Sequence, residues 1–234
     1  IIVMLLIVMH HYVVNSGLLD EMFKTPLAPE SIFLYLFGMW GKTGIDCFVL
    51  ITGYFMCKSS ISLRKFVKLL LQIELYNILF GCIFLYTGHI SLSVSSLIQI
   101  VNPIPSVNTG FTSCFLLFYL FIPFLNILLN NLSKSQHLLL VILCLGIYTI
   151  LGTVPWISVT LNYITWFCIL YVVASYIRLY GIWRGEDKMF WGGASLVLII
   201  ISVLSVLMML SWGISSGVRL DWSLVMFFVS DSNK

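Results

Sequence analysis

Leu196-Val197-Leu198-Ile199-Ile200-Ile201-Ser202-Val203-Leu204-Ser205-Val206-Leu207-Met208-Met209-Leu210 decides the fold class of this chain. Two serines are its only polar residues, and both can bond back to their own helix. It shows no alternation of polar and apolar residues, so it is not the strand of a barrel. Helices and closed barrels are the only structures that satisfy their backbone within lipid. The stretch therefore reads as part of a membrane-spanning helix over 189–213.

Further apolar runs occur at 1–14, 32–57, 66–87, 111–130, 137–154 and 157–179, and another begins near Trp222. The expected architecture is an all-α, polytopic transmembrane bundle of seven to eight spans, forming one membrane-embedded domain over 1–234. The first run is the shortest, at about 21 Å against a hydrocarbon core of about 30 Å. It starts inside an apolar run, and the chain closes on Ser230-Asp231-Ser232-Asn233-Lys234 just after another. Both ends read as cuts in a longer protein, so the domain is expected to be incomplete at both termini.

Composition agrees. Of 234 residues 60% are hydrophobic and 9% charged, with 12 basic and 9 acidic side chains. A soluble domain carries about 25% charged residues. The net charge of +3 is small and dispersed, so no nucleic-acid partner is expected. The six cysteines, at 47, 57, 82, 114, 144 and 168, form no C-x-x-C pair and read as small buried hydrophobes. His10 and His11 are adjacent and point about 100° apart on a helix, and with no H-E-x-x-H spacing the chain offers no metal site.

Charge also orients the chain. Lys58, Arg64, Lys65, Lys68, Lys134, Arg178, Arg184 and Lys188 fall in one set of alternate connections, whereas the other set holds only Lys24 and Arg219. The positive-inside rule puts the first set, and the N-terminal side of the first span, in the cytoplasm of a multi-pass plasma-membrane protein. Segments 15–31 and 88–110 then face outward.

Ionisable groups within spans are costly and mark candidate sites. His11 is a candidate general base, since imidazole titrates near neutral pH, or a helix-end histidine meeting water. His10, on another face, reads as structural. Lys42 and Asp46 lie one helical turn apart and either neutralise each other or face a substrate. Glu74 pairs with a basic residue or stays protonated in a low-dielectric site. Arg64, Lys65 and Lys68 at the entrance of the third span either set topology and contact anionic lipid, or capture a phosphate-bearing ligand. Gly38, Gly41, Gly44 and Gly53 allow close helix approach, or leave room for a bound acyl chain.

Several of these segments together resemble the acyltransferase-3 family of integral membrane O-acyltransferases. Met4-Leu5-Leu6-Ile7-Val8-Met9-His10-His11-Tyr12 is similar to its first span, in which an Arg is followed by ten residues and a His. Counting back from His11 places that Arg just before Ile1. Gly44-Ile45-Asp46-Cys47-Phe48-Val49-Leu50-Ile51-Thr52-Gly53-Tyr54-Phe55 resembles the family's G-x-x-x-F-x-x-x-S/T-G-Y/F segment. Lys65-Phe66-Val67-Lys68 has the spacing of its cytoplasmic R-x-x-R, with lysines that keep the charge and lose the bidentate fork. Cys114-Phe115-Leu116-Leu117-Phe118-Tyr119, followed by Pro123, resembles W-F-x-x-x-Y with the Trp replaced.

The resemblance implies transfer of an acetyl or similar group from acyl-coenzyme A (acetyl-CoA), as donor substrate, to a hydroxyl of a saccharide or lipid-linked saccharide. It implies His11 as catalytic base, with Lys65, Lys68 and Arg64 on the coenzyme A phosphates. It also implies further spans beyond Lys234, one with another His. The competing expectation is a transporter or flippase with Lys42, Asp46 and Glu74 as its charge pathway and a helix break at Gly38 to Gly44.

Overall fold

The computed structural model describes residues 1–216 except 103, 105–109, 155, 158, 160, 161, 183, 184 and 186. The span expected near Trp222, together with Arg184 and Arg219, lies outside the described residues. Those described are helical, with no strand among them.

Among the described residues five helices are long and apolar enough to cross a membrane: Pro29–Met56, Leu63–Tyr86, Phe111–Asn130, Tyr163–Tyr180 and Lys188–Ser215. This is somewhat fewer than the expected seven to eight. The first run is helical over Ile2–Asn15 (α1) but has only 14 residues. The fifth is shortened where the helix Lys134–Leu145 passes into a π-turn at Gly146–Ile150. The bundle is otherwise the one expected, with span bounds shifted by a few residues.

Contacts divide the chain into two compact units. The first comprises Ile1–Ile51, Gly152–Ile157 and Leu179–Lys234; the second comprises Thr52–Leu151 and Ser158–Arg178.

In the first unit, α1 packs against α3 (Pro29–Gly38) and the start of α4 (Gly41–Met56). The outer segment between α1 and α3 holds a short helix, α2 (Leu19–Lys24), whose Met22 is fully buried. The exposed Glu21 carboxylate accepts a hydrogen bond from Lys24 Nζ at 2.6 Å, and this bond holds the Lys24 ammonium above its ordinary pKa. Val13, Met22, Tyr35 and Met39 close around Val206 and Leu210 of α10 (Lys188–Ser215), forming the core of this unit. α10 is capped by Asp187, whose carboxylate accepts from the Phe190 amide at 2.9 Å.

The second unit contains α5 (Leu63–Tyr86), α6 (Val94–Val101), α7 (Phe111–Asn130), α8 (Lys134–Leu145) and α9 (Tyr163–Tyr180). Its core is aromatic. Phe118 of α7 lies edge-on to Phe167 and Tyr171 of α9, with both centroid distances 5.8 Å. Rings in that geometry attract beyond their area burial. α8 begins with a reciprocal cap, in which Ser133 Oγ accepts from the Gln136 amide and Gln136 Oε1 accepts from the Ser133 amide. Gly88, at φ 75°, takes the left-handed conformation that ends α5.

Cys57 and Cys114 are buried, and Cys47, Cys144 and Cys168 are half-buried. Cys82 departs from the expected burial because it sits on the exposed face of α5. Only 6% of the apolar window of α5 and 11% of that of α10 are buried by protein. Their apolar faces are turned to lipid, where an exposed Leu or Ile carries no penalty.

Candidate functional site

His10 and His11 leave the same helix and do different work. His10 Nδ1 is 2.7 Å from the Gly38 carbonyl, so the ring donates a hydrogen bond across to α3. A Cβ built on Gly41 would stand 2.1 Å from His10 Cγ. The imidazole therefore occupies the space that any larger residue at 41 would fill. His10 is the structural member, as its position suggested.

His11 is exposed. Its Nδ1 lies 3.3 Å from Asn15 Nδ2, one turn along, and its ring stands edge-on to that of His10 at 5.8 Å. Asn15 is placed to pair with either tautomer of the His11 ring. When the amide NH2 donates to Nδ1, Nε2 carries the proton. With the amide rotated by half a turn, Oδ1 accepts from Nδ1–H and Nε2 presents its lone pair outward. Asn15 is a partner that motif reading missed; the only available signal was its i+4 spacing from His11.

The glycine run is explained by close approach. Gly38 faces Val13, Gly41 faces His10, and Gly44 faces Ile7, Leu6 and the Val3 carbonyl, so the three seat α1 on α3 and the start of α4. Gly53 serves the second unit in the same way, since its Cβ would lie 2.9 Å from Ala174 Cβ. Lys42 and Asp46 of α4 are half-buried, and each is engaged by neighbouring groups.

At the other candidate cluster, Ser62 caps α5 by accepting from the Lys65 amide at 3.4 Å. Arg64, Lys65 and Lys68 follow at once and are exposed. Lys65 Nζ donates to the Ser60 carbonyl at 2.8 Å, which pins the loop to the helix start. Three cations thus stand at the positive end of a helix dipole, where anions are preferred by about 0.3–1 kcal/mol each. An anion bound there relieves that conflict.

Arg178, at the last turn of α9, was legible only as a topological charge. Its Nη1 donates to Tyr54 Oη at 3.0 Å, and its Cζ lies 4.7 Å from the Tyr54 ring centroid. Asn126 joins three elements: Nδ2 donates to the carbonyls of Met56 and Ser59, and Oδ1 accepts from Tyr171 Oη at 2.6 Å. His137, another residue the sequence reading passed over, is fully buried and bonds the Val172 carbonyl through Nε2 at 3.0 Å. It holds α8 on α9.

Glu74 corrects an expectation. Both carboxyl oxygens are buried and neither has a hydrogen-bond partner among the described residues, so no pairing with a basic residue is present among them. No group of three His, Cys, Asp or Glu side chains suited to a metal ion occurs among the described residues.

The acyltransferase-3 family model, described as an acyltransferase domain, matches residues 1–231. The chain belongs to the acyltransferase-3 family. No curated protein and no solved structure matches it. An acyltransferase-3 domain with several helices long and apolar enough to cross a membrane is a membrane acyltransferase. The family match covers the chain far beyond the second span, on which the resemblance was most specific, and it favours acyl transfer over transport.

Proposed function

We propose that this acyltransferase moves an acetyl or similar acyl group from acyl-coenzyme A to a hydroxyl of a cell-surface saccharide or its lipid-linked precursor. The observation that carries the donor half is the cationic start of α5. Arg64, Lys65 and Lys68 are exposed at a helix N-terminus, and coenzyme A is rich in phosphate.

The acceptor half rests on His11. Its Nε2 takes the proton of the acceptor hydroxyl as the oxygen attacks the thioester carbonyl. The tetrahedral intermediate collapses, an ester C–O bond replaces the C–S bond, and the thiolate leaves and takes up a proton. General-base assistance of this kind contributes about 10²–10⁴-fold. The sorting of basic residues places the α5 cations on the cytoplasmic side, where acyl-coenzyme A is made, and the end of α1 on the outer side of the plasma membrane. The acyl group, or its thioester arm, then crosses part of the bilayer between helices.

The test is consumption of radiolabelled acetyl-coenzyme A by the full-length protein in membranes, with ester formation on endogenous saccharide as readout. A His11→Ala protein should bind coenzyme A and lose transfer. Unchanged surface O-acylation by that variant removes His11 from the mechanism, and no thioester consumption by the wild type removes the reading itself.

A further inference from the structure

α5 has a second functional end. Opposite its cationic start, α5 and α6 line an open groove of about 320 Å³. The helices meet through Gly81, where an added Cβ would stand 2.6 Å from Ile100 Cγ1. Small-molecule sites start near this size and combine an apolar wall with a few placed polar groups. Both are present here.

The wall is aromatic. Tyr76, Phe80 and Phe84 recur every four residues along one exposed face of α5, the Tyr76 and Phe80 rings are stacked at 6.5 Å, and Gln99 on α6 is exposed beside them. The polar groups are Asn77 and Gln99, with Ser96 and Asn102 beside them. Ser96 and Asn102 are partly committed: the Ser96 hydroxyl bonds Ser93 Oγ, and Asn102 Oδ1 accepts from the Ile104 amide. The Asn77 and Gln99 side-chain amides make no hydrogen bond among the described residues. Asn77 is half-buried at membrane depth, where an unmatched amide costs about 1–3 kcal/mol.

No charged side chain lines the groove. Phosphates and carboxylates therefore find no counter-charge, and the amides would be wasted on a hydrocarbon tail. A neutral ring with hydroxyl groups on its edge and C–H bonds on its face satisfies both halves. Each amide offers a donor and an acceptor to a hydroxyl, and the aromatic wall covers the C–H face.

We propose that the α5–α6 groove is a binding subsite for a neutral saccharide unit of the acyl acceptor, with Asn77 and Gln99 reading its hydroxyls. This rests on the acyltransferase reading for its biological use. Binding itself is independent of it. Segment 88–110, which contains α6, is assigned by the basic-residue pattern to the outer side, where surface saccharides are found.

The experiment is saturation-transfer NMR on the full-length protein in phosphatidylcholine nanodiscs, which avoid sugar-based detergents. The probes are the methyl glycosides of glucose, galactose, rhamnose and N-acetylglucosamine, with methyl glucuronate as the charged control. At least one neutral glycoside should receive saturation and glucuronate should not. Asn77→Ala and Gln99→Ala should each weaken apparent affinity at least fivefold, whereas Cys82→Ser, on the exposed face of α5, should not. No transfer to any neutral glycoside overturns the proposal. So does equal transfer in the amide variants, or crosslinking of a photoreactive phosphatidylcholine to Gln99 that glycosides fail to displace. Acetyl-coenzyme A consumption is measured in the same samples. Thioester consumption without glycoside binding overturns the subsite alone, and the converse overturns the acyl-transfer reading alone.

Discussion

Replacing Gly41 with Ala tests how α1 is seated. The new Cβ would lie 2.1 Å from His10 Cγ and 2.4 Å from His10 Cβ, well inside contact distance. The ring cannot rotate away without breaking its 2.7 Å bond to the Gly38 carbonyl, so α1 must withdraw. Overpacking of this kind costs about 1–3 kcal/mol. Losing an interhelical hydrogen bond in a membrane adds about 0.6 and at most about 1.7 kcal/mol. The sum is about 2–4 kcal/mol. For a chain of this size each kcal/mol shifts Tm by about 2–4 °C, so the expected fall is on the order of 10 °C. Gly44→Ala, with Ile7 at 3.0 Å and the Val3 carbonyl at 3.1 Å, should cost less. Gly38→Ala, with Val13 at 3.1 Å, should be similar to Gly44→Ala. Gly192→Ala is the control: nothing lies within 4 Å, and relief of helix-interior glycine should stabilise by up to about 1 kcal/mol. The assay is thermal unfolding in nanodiscs followed by a thiol-reactive dye, alongside acyl transfer. The order Gly41, then Gly44 and Gly38, then Gly192 is the expected result. A Gly41→Ala protein as stable as Gly192→Ala would refute the packing of α1 against the glycine face.

Other expectations follow from the site. His11→Ala should lower kcat by about 10²–10⁴-fold while leaving coenzyme A binding intact, measured by equilibrium dialysis. Asn15→Leu should lower kcat about tenfold and shift the pH–rate profile, while Asn15→Asp, which still accepts from Nδ1–H, should retain more activity; equal loss in both would contradict an orienting role. Lys65→Gln with Lys68→Gln should raise KM for acetyl-coenzyme A and flatten its dependence on salt, with kcat changed little. Glu74→Gln should be neutral or stabilising, because neither carboxyl oxygen forms a hydrogen bond among the described residues and the amide carries no charge into the span.

Much of the fold was legible because a bilayer simplifies the problem. Runs such as Leu196 to Leu210 permit one backbone solution, and the structure places them in α10. The departures came where length and local chemistry compete. α1 has apolar composition but only 14 residues, and Ser16 and Gly17 turn the chain toward α2. α6 was hidden because Val94–Val101 sits in a polar connection, and eight residues carry little periodic signal against their surroundings. Composition identifies the solvent, whereas a short helix is stabilised by a partner that the sequence does not name. For α6 that partner is Gly81 and its surroundings on α5.

The candidate site divides along the same line. Residue type singled out His11, Arg64, Lys65 and Lys68 as candidates, because a base or a cation where lipid or a helix N-terminus disfavours it stands out on its own. Gly38, Gly41 and Gly44 were visible as a pattern, but close helix approach and space for an acyl tail predict the same residues. Only the position of His10 separates the two, by filling the space above Gly41. Asn15, Asn77 and Gln99 are uncharged amides, common in helices and loops alike, and their meaning depends on what stands opposite. Asn15 has a histidine nitrogen opposite; Asn77 and Gln99 have a groove. An amide with a protein partner is held by the fold, whereas one lining a groove without such a partner is open to a ligand, and that difference belongs to the fold rather than to the residue.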